Sequence, residues 1–144
     1  MTISSDHDRL IIELLDGVKT IAIVGLSPKS NRPSYRVATQ LQLFSYSIVP
    51  VRPAVHEVLG QKAYKALEDI PFKVDLVNIF RAPEYVPDIV DRCIELGIKK
   101  IWLQEGVVNY DAEKKAQSAG IAIIMDRCIY KEIMRLGINQ NNSV

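Results

Sequence analysis

Apolar and polar positions along the chain follow two periods in turn. Leu10, Ile11, Leu14, Leu15 and Val18 recur at helical spacing and form one apolar face. Ser5 stands three residues before Asp8 in a variant of the capping box that opens a helix, and Gly17 sits where its carboxyl end is expected. Residues 20–26 (TIAIVGL) then form a continuous apolar, β-rich run, the pattern of a strand buried on both faces. The alternation continues to the end of the chain. Val37, Ala38, Leu41 and Phe44 predict a helix over 34–45, followed by a strand over 46–51 (YSIVPV). Further strands are expected at 74–80 (VDLVNIF), 100–104 (KIWLQ) and 121–125 (IAIIM). Between them, Val86, Ile89, Val90, Cys93 and Ile94 make a helical stripe ending at Gly97. Asn109 is placed to cap a helix carrying Ala112, Ala116 and Ala119, which Gly120 ends; a last helix is predicted over 129–136.

Strand and helix in repeated alternation predict parallel βαβ units with helices on both faces. Right-handed crossovers then give an α/β, doubly wound, mainly parallel sheet of five to six strands. Residues 54–71 fit the pattern poorly, and a short edge strand near Ala63 and Tyr64 is expected there. With no internal repeat or linker, the 144 residues are expected to form a single domain. An amino-terminal helix within residues 1–18 would pack on it, and residues 139–144 form a polar tail.

Composition narrows the functions open to such a fold. Hydrophobic residues make up 48% and charged residues 24%, as in an ordinary folded domain. Eighteen basic against 17 acidic residues leave a net charge of +1, which disfavours a nucleic-acid partner. No apolar run approaches the roughly 20 residues of a membrane span, so no membrane partner is expected. The opening residues lack the basic and apolar regions of a signal peptide. Two cysteines, Cys93 and Cys128, make no disulfide framework, and a cytoplasmic location is expected. His7 and His56 have no metal-spaced companion, so no metal site is expected.

The near-neutral total hides an uneven distribution. No acidic residue occurs in the 40 positions from 17 to 56, which carry Lys19, Lys29, Arg32, Arg36 and Arg52. Taking those five from 18 leaves 13 basic residues against all 17 acidic ones elsewhere. The cationic third contains the first two strand ends, where a doubly wound sheet binds ligands. Its first loop (Gly25, Leu26, Ser27, Pro28, Lys29, Ser30, then Arg32 and Ser34) keeps only the first glycine of the G-x-G-x-x-G dinucleotide fingerprint. As a phosphate cradle it is better equipped. A helix amino terminus follows it, the serines supply hydroxyls, and Lys29, Arg32 and Arg36 supply charge. The second loop distinguishes among nucleotides. An NAD site wants an acid after the second strand to take the ribose hydroxyl; here Val51 is followed by Arg52 and Pro53. An arginine there suits a ribose that carries a phosphate, as in NADP or coenzyme A.

Several segments in order (GLSPKSNRPSYRV, VPVRP, EVLGQKAYKALEDIP, FRAPEYVPDIVD, WLQEGVVN and MDRC) resemble the stand-alone CoA-binding domain proteins. The resemblance runs over about residues 19–136. It implies a Rossmann-like fold similar to the CoA-binding domain of the succinyl-CoA synthetase α subunit, with coenzyme A or an acyl-CoA bound across the carboxyl edge of the sheet. By the same resemblance, residues 25–32 would hold phosphates and Arg52-Pro53 would lie near the nucleotide end. The Phe80-Arg81-Ala82-Pro83 turn would pass beside the adenine or the pantetheine arm. The synthetase loop is richer in glycine, so the backbone contacts of the Ser27–Ser30 segment need not match it. The synthetase's phosphorylated histidine lies in a second domain that this chain does not contain, so ligase chemistry would require a larger synthetase-type partner.

No self-sufficient catalytic constellation is visible. Glu105, after its strand, is placed to touch a ligand, but no partner for acid–base work can be named. Cys93 and Trp102 read as core residues. Cys128 lies near the ligand edge, either as an incidental structural residue or within reach of a bound coenzyme's thiol. Pro83 can simply start a helix with Glu84 in its first turn. The expected function is therefore a non-catalytic coenzyme A-binding carrier, sensor or partner subunit, with a homodimer as a further possibility. The alternatives are an NADP-dependent small oxidoreductase and the CoA-binding subunit of a split acyl-CoA synthetase.

Overall fold

A computed structural model describes residues 5–138; the expected polar tail at 139–144 and most of the opening segment lie outside them. Helix α1 (Asp6–Leu15) opens with the Ser5 side chain accepting the Asp8 N–H at 3.0 Å, as the capping pattern predicts. Strand β1 (Thr20–Val24) and helix α2 (Pro33–Leu43) follow, then β2 (Ser47–Val51). A hairpin of β3 (Glu57–Val58) and β4 (Gln61–Lys62) comes next. The remainder alternates: β5 (Leu76–Ile79), α3 (Val86–Leu96), β6 (Lys100–Leu103), α4 (Tyr110–Ser118), β7 (Ala122–Ile124) and α5 (Ile129–Leu136).

Five strands form one sheet in the order β2-β1-β5-β6-β7, every neighbouring pair parallel. This is the doubly wound, Rossmann-like α/β architecture the alternation predicts. Ile21, Ile23, Ile48, Leu76, Trp102 and Ile124 face α1, α2 and α5 on one side. Ala22, Val24, Val77, Ile79, Ile101 and Leu103 face α3 and α4 on the other. Strands buried on both sides are mostly apolar because neither face meets water; Asn78 in β5 is the buried polar exception. Cys93 and Trp102 are core residues, as expected; burial pushes the Cys93 thiol up to about 12, so it stays protonated and inert at neutral pH. No helix among the described residues is long and apolar enough to cross a membrane.

Two details differ from the sequence expectation. The strands are shorter than expected, because apolar side chains such as Leu26 after β1 and Tyr46 before β2 stay in the core outside the ladder. The edge strand expected near Ala63 and Tyr64 contributes a single bridge, Val51 to Tyr64, and the regular pairing lies just before it in the β3–β4 hairpin. Leu59 and Gly60 at its tip both take positive φ, 54° and 76°, the backbone of a two-residue hairpin turn.

Helix α5 is tied to α1 by a charged chain. Arg135 bonds Asp8 at 2.7 Å and Glu132 at 2.6 Å, while Arg127 bonds the other Glu132 oxygen at 2.7 Å. Burial raises the Glu132 pKa, but the hydrogen bonds from Arg127 and Arg135 outweigh it and hold the carboxyl below its ordinary value. A carboxyl that binds its proton less readily folded than unfolded stabilises fully above the ordinary glutamate range, about pH 4.3. That stabilisation is lost as pH falls through the lower folded value. Urea denaturation near pH 7 and near pH 3 should therefore show an acid loss that Glu132→Gln reduces. An unchanged acid loss in the variant would assign it to other carboxylates.

Candidate functional site

Strand order reverses between β1 and β5, the position at which doubly wound sheets open a crevice at the strands' carboxyl ends. Here the chain is drawn together by three strand ends. The Gly25 N–H donates to Val51 O, and the Phe80 N–H donates to Val24 O, each at 2.9 Å. Gly25 takes φ +87°, and a Cβ built on it would stand 2.4 Å from the Phe80 carbonyl oxygen. Only glycine satisfies both demands.

Past Gly25 the loop is built by its own serines. The Ser27 N–H donates to Ser34 Oγ at 3.0 Å, and the Lys29 N–H donates to Ser27 Oγ at 3.1 Å. Both hydroxyl oxygens thus first shape the loop; each keeps its O–H as a donor. Helix α2 starts at Pro33 with no acidic residue in its first turn and no side-chain cap, so the N–H groups of its opening turn face the loop.

A cavity of about 580 Å³ lies over this loop, walled by Gly25, Ser27, Pro28 and Ser34 with Pro53 and Phe80 opposite. Lys29, Arg32 and Arg52 reach it, and no carboxylate lines it. None of the three forms an ion pair among the described residues. Arg52 is positioned by its N–H donating to Tyr64 O at 2.8 Å and by its guanidinium donating to Gly25 O at 3.3 Å. Positive charge held without an internal counter-ion, beside a helix amino terminus, is an anion-binding arrangement.

The other residues singled out from the sequence divide among three places. Val51, Arg81 and Ala82 line an adjoining cavity of about 520 Å³, where the Arg81 guanidinium carbon lies 4.1 Å from the Tyr85 ring centre. Arg36 and Glu105 line a third cavity of about 720 Å³ that shares Pro33 and Phe80 with the first; Cys128 is on its wall. Glu105 there pairs with Lys131 at 3.3 Å. Leu26, Ser30 and Pro83 line none of the three. The Leu26 side chain is fully buried in the core, and Ser30 is exposed. Pro83 opens a short 3-10 turn, Pro83–Tyr85, and its carbonyl accepts from Asn109 Nδ2 at 3.1 Å.

The CoA binding domain family matches residues 19–134. The chain belongs to that family. It is 39% identical over 119 residues to the uncharacterized protein YneT of Bacillus subtilis, covering 83% of this chain and 88% of that one. It is 31% identical over 131 residues to an ADP-forming acetate–CoA ligase of Methanocaldococcus jannaschii; that match takes in 85% of this chain but only 18% of the ligase. A solved structure, a hypothetical protein from Pyrococcus horikoshii, superposes with a TM-score of 0.86 at 37% identity, covering 94% of this chain and 99% of the other.

Two residues of this CoA-binding domain escaped the sequence reading. Asn78 and Gln104, on neighbouring strands, are buried among apolar side chains, and Asn78 Nδ2 donates to Gln104 Oε1 at 3.2 Å. An amide inside VDLVNIF and another closing KIWLQ were the available signals, since the only other polar residues, Asp75 and Lys100, stand at the start of those runs. Their pairing depends on β5 lying beside β6.

Gly25→Ala meets both a disallowed φ and a carbonyl in its way, and should cost about 2–4 kcal/mol. Gly60→Ala, at positive φ with nothing within 4 Å of its Cβ, should cost only about 1 kcal/mol. Urea denaturation of both variants measures the difference; equal losses would mean that the contact with Phe80 is easily relieved.

Proposed function

We propose that this CoA-binding domain binds coenzyme A, or an acyl-coenzyme A, in the crevice at the ends of β1, β2 and β5. Alone it acts without catalysis, as a carrier, sensor or partner subunit. The observation that carries this reading is the set of three cations around one cavity with no carboxylate on its walls. Coenzyme A is a small ligand with a pyrophosphate and a separate ribose phosphate, and three cations on two loops suit such a spread of charge. The Gly25 loop and the start of α2 would take the pyrophosphate. Arg52 would take the ribose 3′-phosphate, and the turn at Phe80 and Arg81 would lie along the adenine or the pantetheine arm.

A second reading, the CoA-binding subunit of a split acyl-CoA synthetase, is favoured by one finding. The match covers 18% of the acetate–CoA ligase, so chemistry of that kind would need parts this domain does not hold, which a partner chain would supply in this reading. Co-purification of a larger nucleotide-binding chain, with acyl-CoA formed only by the pair, would establish it. A pair that makes no acyl-CoA would set it aside.

Calorimetric titration with coenzyme A, dephospho-coenzyme A, NADP and NAD tests the first reading. Coenzyme A should bind and NAD should not. Arg52→Glu should weaken coenzyme A about tenfold more than dephospho-coenzyme A, the loss of roughly one charge-assisted hydrogen bond. No binding of coenzyme A at millimolar concentration would overturn the proposal, and NADP binding without coenzyme A would replace it with a nicotinamide-dependent reductase. Equal losses for the two coenzyme forms would mean that Arg52 does not read the ribose phosphate.

A further inference from the structure

The third cavity ends on a buried side-chain amide whose direction is determined by its neighbours. Gln104 is only 4% exposed and lines this cavity between the amino-terminal ends of α2 and α5. One amide atom of Gln104 receives two donors, Asn78 Nδ2 at 3.2 Å and the Ile129 N–H at 3.4 Å, so that atom must be the oxygen. Asn78 cannot be turned the other way, because its Nδ2 also donates to the carbonyl of Trp102 at 3.3 Å. The Gln104 NH₂ group is therefore the branch left over. It makes no hydrogen bond among the described residues, and the cavity is the open space beside it. The one buried side-chain atom left without a partner among the described residues is Asn78 Oδ1, so the Gln104 NH₂ group opens on the cavity, and a ligand that displaces water there must supply an acceptor in its place.

The surroundings specify the acceptor. Cys128 gives helix α5 no side-chain cap, and the first N–H of the helix is taken by Gln104 Oε1, which leaves the NH₂ branch of the amide for the cavity. Val37, Phe80, Val107 and Tyr130 give much of the wall an apolar or aromatic surface; Lys131 and Glu105 pair with one another, and Arg36 and Gln40 add a polar side from α2. A carbonyl on a short apolar chain satisfies both parts. Phe80 and Pro33 border this cavity and the cationic one, so a ligand anchored by its phosphates can continue from one into the other. We infer that the third cavity receives the acyl end of a coenzyme A thioester, with the thioester carbonyl oxygen accepting from the Gln104 amide. The inference rests on the coenzyme-binding reading above. It deepens that reading by making Gln104 the residue that distinguishes acyl-coenzyme A from the free thiol.

The test compares acetyl-coenzyme A with S-ethyl-coenzyme A, a thioether of similar size without the carbonyl, using the full chain. Acetyl-coenzyme A should bind about tenfold more tightly, as expected when a bound ligand displaces water from a donor and either satisfies it or leaves it bare. In ¹⁵N-labelled protein, the Gln104 side-chain amide signal should move on adding the acetyl compound and stay in place with the thioether. Gln104→Glu keeps an oxygen for the Asn78 and Ile129 donors but turns the cavity-facing donor into an acceptor; it should abolish the preference while coenzyme A itself still binds. Should that variant not fold, the two ligands on the unaltered protein still decide. Equal affinity for both with no movement of the Gln104 signal overturns the inference and leaves the coenzyme site standing. Failure of coenzyme A and both derivatives to bind overturns the coenzyme site, and the inference with it.

Discussion

The site depends on how closely three parallel strand ends can approach at one glycine. The Gly25 N–H reaches β2, the Phe80 N–H reaches back to β1, and the Phe80 carbonyl occupies the space where a Gly25 side chain would be. With that contact made, the chain leaves β1 at positive φ, sends Leu26 into the core and turns the next residues outward over the sheet edge. A side chain at residue 25 would push apart the strands at their reversal point, where the crevice is formed. The cations, the start of α2 and the turn at Phe80 all take their positions from this contact.

Charge then acts locally. Of the five cations in the cationic third, Lys29, Arg32, Arg36 and Arg52 lie at the carboxyl edge of the sheet and Lys19 precedes β1 at the opposite edge, while Lys73, Arg92, Lys115, Arg127, Lys131 and Arg135 are engaged with carboxylates. A net charge of +1 therefore hides a cavity in which three cations without ion pairs among the described residues meet and no carboxylate lines the wall. Ser27 and Ser34 contribute first by holding the loop through their oxygens, so the cradle is shaped by the protein before any anion arrives.

Most of the architecture was legible because strands buried on both faces carry mainly apolar side chains, as in TIAIVGL and IAIIM. Strand ends were not, since a residue such as Leu26 remains apolar after its last ladder bond. The β3–β4 hairpin escaped notice because exposed Glu57, Gln61 and Lys62 carry no alternating pattern, and Leu59 at positive φ is no turn signal. At the candidate site, the loop from Gly25 and the Arg52 turn could be located from the positions of strand ends alone. What local sequence does not carry is which strand ends become neighbours. Arg36, assigned to the phosphate loop by proximity in sequence, faces the third cavity because α2 turns it away, and Asn78 meets Gln104 only through strand order.

The central claim is that the crevice above Gly25 is where coenzyme A sits. Mapping backbone amide shifts in ¹⁵N-labelled protein during titration with coenzyme A tests it most directly. The account predicts that the largest changes fall on residues 25–36, on Arg52 and on Phe80 and Arg81, with the opposite, amino-terminal edge of the sheet unmoved. Changes concentrated at that opposite edge, or none at saturating coenzyme A, would contradict it.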